Sequence, residues 1–247
     1  MEHQQWLNRR AHGDGVVELE LGHAPQNVLS VEYLMDFHHE IRALEADPNI
    51  TAIMLTSPFK DFSVGTNPED WKQDAASREA LERALNTAFL TLFACSKPVV
   101  CVARGEVLEA GMFFVLASDV RVAHARAAFE MSEVSRGQFY PVALLEIVRA
   151  TLDPQSQRRL ILSGQRLGPI SGRHAGFVDV IADDYNDLIE YALKEARKLS
   201  NLPLECYAQT KLKLRQDALA RIADTLIEDV DIEDHWMPQG NGQSGTA

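Results

Sequence analysis

Lys97-Pro98-Val99-Val100-Cys101-Val102-Ala103, then Gly105-Glu106-Val107-Leu108-Glu109-Ala110-Gly111-Met112-Phe113-Phe114-Val115-Leu116-Ala117-Ser118-Asp119, then Val120-Arg121-Val122-Ala123: this stretch decides the fold. Its first run is continuously apolar and short, which predicts a strand covered on both faces. Gly111 to Ala117 predicts a helix too apolar to face water, and 120–123 and 127–129 return to strand. Upstream, Thr51-Ala52-Ile53-Met54-Leu55-Thr56 repeats the buried-strand pattern, and Gly15-Val16-Val17-Glu18-Leu19-Glu20-Leu21 alternates apolar and acidic residues as a half-exposed strand does. Helical stripes run from Val31 through Ile41 and Leu44, with Ser30 as N-cap, and from Ser77 to Cys95. Strand, helix and strand at this interval predict parallel strands joined by right-handed crossovers, an α/β chain.

After Asp153-Pro154 the pattern turns helical. Helices are expected at 155–163, 169–175, 185–199 and 203–230, with one strand at 178–180. Residues 239–247 are rich in Gly, Ser, Asn and Gln and read as a disordered tail.

The chain has 247 residues, 46% of them hydrophobic, enough for one large core. A formal net charge of -12 without any Lys/Arg run argues against nucleic acid, which it would repel. Cys95, Cys101 and Cys206 are odd in number and widely spaced, as buried thiols in a reducing compartment are. His38 and His39 are adjacent on a helix, which turns them to different faces, and no His/Asp/Glu group has metal-ligand spacing. Met1–Trp6 has no secretion-type apolar run, and no stretch approaches the ~20 apolar residues of a membrane span. The expectation is a cytoplasmic protein with no metal and no membrane partner.

Four blocks, in order, resemble the crotonase superfamily, the enoyl-CoA hydratase/isomerase family. They are Asn27-Val28-Leu29-Ser30; Asp61-Phe62-Ser63-Val64-Gly65-Thr66-Asn67; Lys97-Pro98 with Gly105, the loop 108–111 and Asp119; and Met131-Ser132-Glu133 through Gly137 and Pro141. Leu162-Ser163-Gly164 and Ala175-Gly176-Phe177-Val178 extend the likeness, which spans roughly residues 15 to 230. The resemblance implies a crotonase-like spiral of repeated ββα units. Residues 1–14 would be an N-terminal extension, 15–185 the spiral core, 186–238 a helical trimerisation region and 239–247 the tail. Lys211, Lys213 and Arg215 read as a solvated helical face rather than a phosphate site. An apolar stripe at Leu212, Leu219, Ile222 and Leu226 would serve contacts in a homotrimer or hexamer, or cap its own subunit.

The chemistry implied is stabilisation of a thioester enolate, the substrate being an acyl-CoA or acyl-carrier thioester and CoA entering only as part of it. By resemblance the N–H groups of Thr66 and Ala110 form the oxyanion hole, each worth on the order of 3 kcal/mol. Ser63, Gly65, Gly111, Phe113 and Tyr140 would line the substrate. A hydratase of this family carries glutamate at both 113 and 133, whereas here Phe113 replaces one and Glu133 keeps the other. That is the pattern of the monofunctional enoyl-CoA isomerases, in which one glutamate moves a proton along the substrate. Burial among Phe113, Phe114 and Phe139 would raise its pKa. Decarboxylation or C–C cleavage also uses an enolate and dispenses with the glutamate pair; a degraded scaffold that only binds acyl thioesters is the third reading.

Two positions depart from the family pattern. Asn67 replaces an aspartate and keeps its turn-forming capacity. Glu109 stands where glycine or alanine is usual, so it is either catalytic in its own right or disabling to the oxyanion hole. If the position needs an unusual backbone angle, glutamate is strained there by ~1 kcal/mol or more.

Overall fold

The computed structural model describes residues 6–226. Strand β1 (Leu7–Ala11) pairs antiparallel with β2 (Val16–Leu21), and from β2 onward the chain repeats one unit: long strand, short strand, helix. The first unit continues through β3 (Val28–Leu29) and α1 (Val31–Ala46). The second is β4 (Ala52–Thr56), β5 (Gly65–Thr66) and α2 (Ala75–Ala94). The third is β6 (Val99–Ala103), β7 (Glu106–Leu108) and α3 (Met112–Leu116). The fourth is β8 (Val120–His124), β9 (Ala128–Glu130) and α4 (Val142–Thr151). Then come α5 (Pro154–Gln157), running on as a π-helical turn over 158–162, α6 (Pro169–His174), β10 (Val180–Ala182), α7 (Tyr185–Ser200) and α8 (Leu204–Leu226).

The long strands lie side by side in the order β1-β2-β4-β6-β8-β10, parallel from β2 onward. The short strands pair β3 with β5 and β7 with β9, and a Ser63–Val107 bridge joins the two pairs. The repeated ββα unit is therefore present, with each turn of chain advancing one strand.

Period-two alternation explains why both sheet faces are apolar. Ile53, Leu55, Val99, Cys101 and Ala103 turn to the face covered by α1, α2 and α3, while Ala52, Met54, Val100 and Val102 meet α7 through Leu188, Ala192 and Ala196. Those last three recur every fourth residue, the stripe a helix needs. Phe114 anchors the first face, edge-on to Phe37, Phe89 and Phe62 at centroid distances of 5.1, 5.0 and 5.9 Å. Such pairs add about 0.5–1.5 kcal/mol each beyond burial. Ser30 caps α1 as expected, its Oγ accepting from the Tyr33 N–H at 3.2 Å.

Some expectations change. Residues 7–11, read as part of an extension, form an edge strand of the main sheet. Helix α4 lay unread between the last site block and Asp153-Pro154, and the strand expected at 178–180 sits at 180–182. Lys211 and Arg215 are not a solvated face: Lys211 Nζ and Arg215 Nη2 bind Asp119 at 2.6 and 2.7 Å, and Asp119 also accepts from the Val99 N–H at 2.9 Å. Lys213 is exposed. Leu219 and Ile222 are buried within their own subunit, whereas Leu212 and Leu214 are exposed. The expected tail at 239–247 and the side chain of Leu226 lie outside the described residues.

Candidate active site

The site forms where the loop entering β5, the turn before α3 and the segment after β9 converge. Ser63 ties the first two together. Its Oγ donates to the Asn27 carbonyl at 2.8 Å, and its carbonyl accepts from the Leu108 N–H at 2.9 Å. It is fully buried, so this residue, expected to line the substrate, instead braces the loops. Gly111 packs on it so closely that a Cβ there would lie 2.7 Å from Ser63 Oγ.

Gly65 sits at φ +77°, and a Cβ on it would stand 2.6 Å from Glu109 Cβ, 3.0 Å from the Leu108 carbonyl oxygen and 3.2 Å from the Ala110 nitrogen. Only glycine allows both the angle and the contact. The two segments expected to supply the oxyanion-hole donors, Thr66 and Ala110, are thereby brought together. Thr66 Oγ1 accepts from Trp71 Nε1 at 2.8 Å, and Asn67 Oδ1 accepts from the Glu69 N–H at 3.1 Å, the turn contact expected of it.

Glu109 does adopt the unusual backbone angle, φ +52°. The residue is 5% exposed, and its side chain turns toward the third segment, where its carboxylate accepts from Ser132 N–H at 3.2 Å, from Ser132 Oγ at 2.5 Å and from the Arg136 guanidinium. Ser132 and Arg136 escaped the sequence reading because their partner lies 23 and 27 residues upstream. Ser132 lies just before the short turn 134–136 that carries Arg136, and only the fold brings Glu109 to both.

Glu133 opens that turn and is 7% exposed. Tyr140 O–H donates to its Oε2 at 2.5 Å, and the Glu109 carboxylate is the charged group that acts on it. Burial first, and then the neighbouring Glu109 carboxylate, push its pKa up to about 9. Burial also carries the Tyr140 phenol above its ordinary range, and the adjacent Glu133 adds to this. Phe113 is fully buried, 6.5 Å from the Tyr140 ring and 5.6 Å from Phe89 by ring centroids. The expected cage differs in part: Phe114 points into the helical core, and Phe139 is 87% exposed. Burial of Glu133 involves Tyr140 and Glu109 instead.

Comparison with known proteins places the chain and its fold. The 2,3-dehydroadipyl-CoA hydratase of Escherichia coli K12 is 28% identical over 196 residues, 78% of this chain and 75% of that one. The peroxisomal Delta(3,5)-Delta(2,4)-dienoyl-CoA isomerase of Arabidopsis thaliana is 21% identical over 175 residues, 66% of this chain and 63% of its own. The crystal structure of an enoyl-CoA hydratase from Mycobacterium marinum superposes with a TM-score of 0.82 at 23% identity, covering 91% of this chain and 99% of that one. With four ββα turns, a glycine-tight pair of loops and a buried glutamate beside them, and with residues 11–245 matching the family as a whole, the chain belongs to the enoyl-CoA hydratase/isomerase family.

Proposed function

We propose that this protein shifts a double bond in an acyl-CoA thioester, using an enolate held by the Thr66 and Ala110 N–H groups and Glu133 as the acid/base. The observation that carries this reading is the unequal pair of positions: Glu133 buried and hydrogen-bonded at the loop junction, Phe113 buried and apolar where a hydratase would carry its second glutamate. One carboxyl group removes a proton at one carbon and returns it at another. Activating and placing a water calls for a second group. The substrate brings its own coenzyme A, and no other cofactor enters the scheme.

A second reading draws on the proton that Glu133 retains near neutral pH. Loss of CO2 from the ionised carboxylate of a β-carboxyacyl thioester generates the enolate without a base, the C–C electron pair passing into the thioester. A carboxylic acid is then the group needed to protonate it.

The test is proton exchange at the α-carbon of butyryl-CoA in D2O, run beside conversion of 3-enoyl-CoA to 2-enoyl-CoA and product analysis with a β-carboxyacyl-CoA. Exchange with double-bond movement supports the first reading, and loss of CO2 without it supports the second. No exchange or turnover on any thioester, in the presence of binding, leaves a scaffold. Assembly as a homotrimer or hexamer is part of the proposal, supported by Leu212 and Leu214 exposed on α8. A stable monomer by light scattering at micromolar concentration counts against it.

A further inference from the structure

We propose that Glu109 is a positioning residue for Glu133: its carboxylate, fixed by Ser132 and Arg136, holds the acid proton of Glu133, so that two carboxyl groups share one proton. The inference rests on Glu133 being the acid/base of the site and concerns how its proton is kept.

The geometry assigns the roles. Glu109 Oε1 and Oε2 take three hydrogen bonds, from Ser132 N–H, Ser132 O–H and the Arg136 guanidinium, donors that satisfy a carboxylate rather than a carboxylic acid. Among the described residues Glu133 has no ion-pair partner. The groups that face it are Glu109 from the turn before α3, the Tyr140 phenol from the segment before α4, and Arg136 on its own turn acting across Glu109. With one proton on Glu133, the cluster of buried Glu109 and Glu133 with Tyr140 and the partly exposed Arg136 carries one negative and one positive charge and is neutral. Removing that proton leaves a net charge beside a carboxylate at low exposure, the arrangement in which like charges resist ionising together.

The free protein therefore presents an acid. It becomes a base when the Glu133 O–H bond breaks and an O–H bond forms on Glu109, with no proton lost from the pair. Glu133 then accepts a proton from carbon, and the reverse transfer resets the site. Passing the proton to Glu109 weakens its ion pair with Arg136, so Arg136 sets how readily the exchange occurs. Glu109 thus does through Glu133 what a second glutamate at position 113 would do by direct contact.

The experiment is a 13C NMR titration of full-length protein labelled at the glutamate side-chain carboxyls, with Glu133 assigned by its absence from Glu133→Gln. In the native protein the Glu133 resonance will titrate above neutral pH. In Glu109→Gln its midpoint will fall by roughly one to three units, since the like charge is gone. In Arg136→Gln it will rise, because the uncompensated Glu109 carboxylate binds the shared proton more tightly. Opposite signs from two neighbouring substitutions are not produced by a structural disturbance. The proposal is overturned by a midpoint in the ordinary carboxylate range in the native protein, by an unmoved midpoint in Glu109→Gln, or by shifts of the same sign. Arg136 is partly exposed, so that variant decides the matter if Glu109→Gln does not fold. The titration needs no substrate. Turnover of 3-enoyl-CoA measured on the same samples, abolished or not in Glu133→Gln, separately tests the role of Glu133.

Discussion

Replacing Glu133 with glutamine will abolish proton transfer and at the same time stabilise the fold at neutral and alkaline pH. Glutamine copies the protonated acid: its amide N–H donates to Glu109 and its amide oxygen accepts from Tyr140 O–H, so both contacts of Glu133 survive. The base does not, which lowers turnover by ~10²–10⁴-fold. A carboxyl whose pKa rises from 4.5 to about 9 on folding binds its proton more tightly in the native state than in the unfolded one. Its contribution to stability is full below pH 4.5, is lost as pH rises and is gone above about pH 9. At about 1.4 kcal/mol per unit, the loss at pH 7 is on the order of 3 kcal/mol. The glutamine variant escapes that loss. Its melting temperature will exceed the native one by on the order of 5–10 °C at pH 7, and the gap will close toward pH 4.5. The assay pairs a melting series from pH 4.5 to 9 with spectroscopic conversion of 3-enoyl-CoA to 2-enoyl-CoA. Near-native turnover by the variant, or a melting difference independent of pH, would refute the reasoning.

Three further outcomes are expected. Hydration of 2-enoyl-CoA will be slow, because Phe113 accepts no proton; Phe113→Glu will cost ~3 kcal/mol or more in urea unfolding through a buried unpaired charge before it makes a hydratase, and fast native hydration would transfer the missing role to Glu109. Gly65→Ala will lower both melting temperature and turnover, by ~1–3 kcal/mol of strain, since it puts a Cβ at φ +77° and 2.6 Å from Glu109 Cβ. Asp119→Ala will destabilise by ~3–5 kcal/mol in urea unfolding because Lys211 and Arg215 lose their shared partner, whereas Lys213→Ala on the exposed side will stay within ~0.5 kcal/mol.

The main sheet was legible because its strands carry their burial in consecutive apolar runs, a signal that depends on neighbours in sequence. Gly65 was legible through the left-handed angle its loop needs, whereas the close approach that requires glycine at 111 comes from Ser63, far back in the chain. Edge strand β1 was not, since Asn8, Arg9 and Arg10 face solvent and only Leu7 is buried, leaving no alternation to read. The α8 cations misled because charge in a sequence reads as exposure. Only the fold brings Asp119, 92 and 96 residues upstream, beneath Lys211 and Arg215. Phe139 misled in the opposite direction, an aromatic residue left outside by the turn that buries Glu133.

Glu109 shows where the local rules give way. A non-glycine residue in the left-handed region costs roughly 1–2 kcal/mol, and a buried carboxylate costs several more unless it is paired. Both costs fall on one residue, adjacent to the nitrogen expected to bind an enolate. They are met within the site: Ser132 and Arg136 satisfy the carboxylate, and the missing Cβ of Gly65 makes room for its stem. A glycine at 109 would need none of this and would keep the loop. The strained residue and its partners therefore make sense together as equipment for Glu133, whose proton they hold. The position that a sequence comparison marks as a departure from the family pattern is, in space, a buried carboxylate whose charge raises the pKa of Glu133.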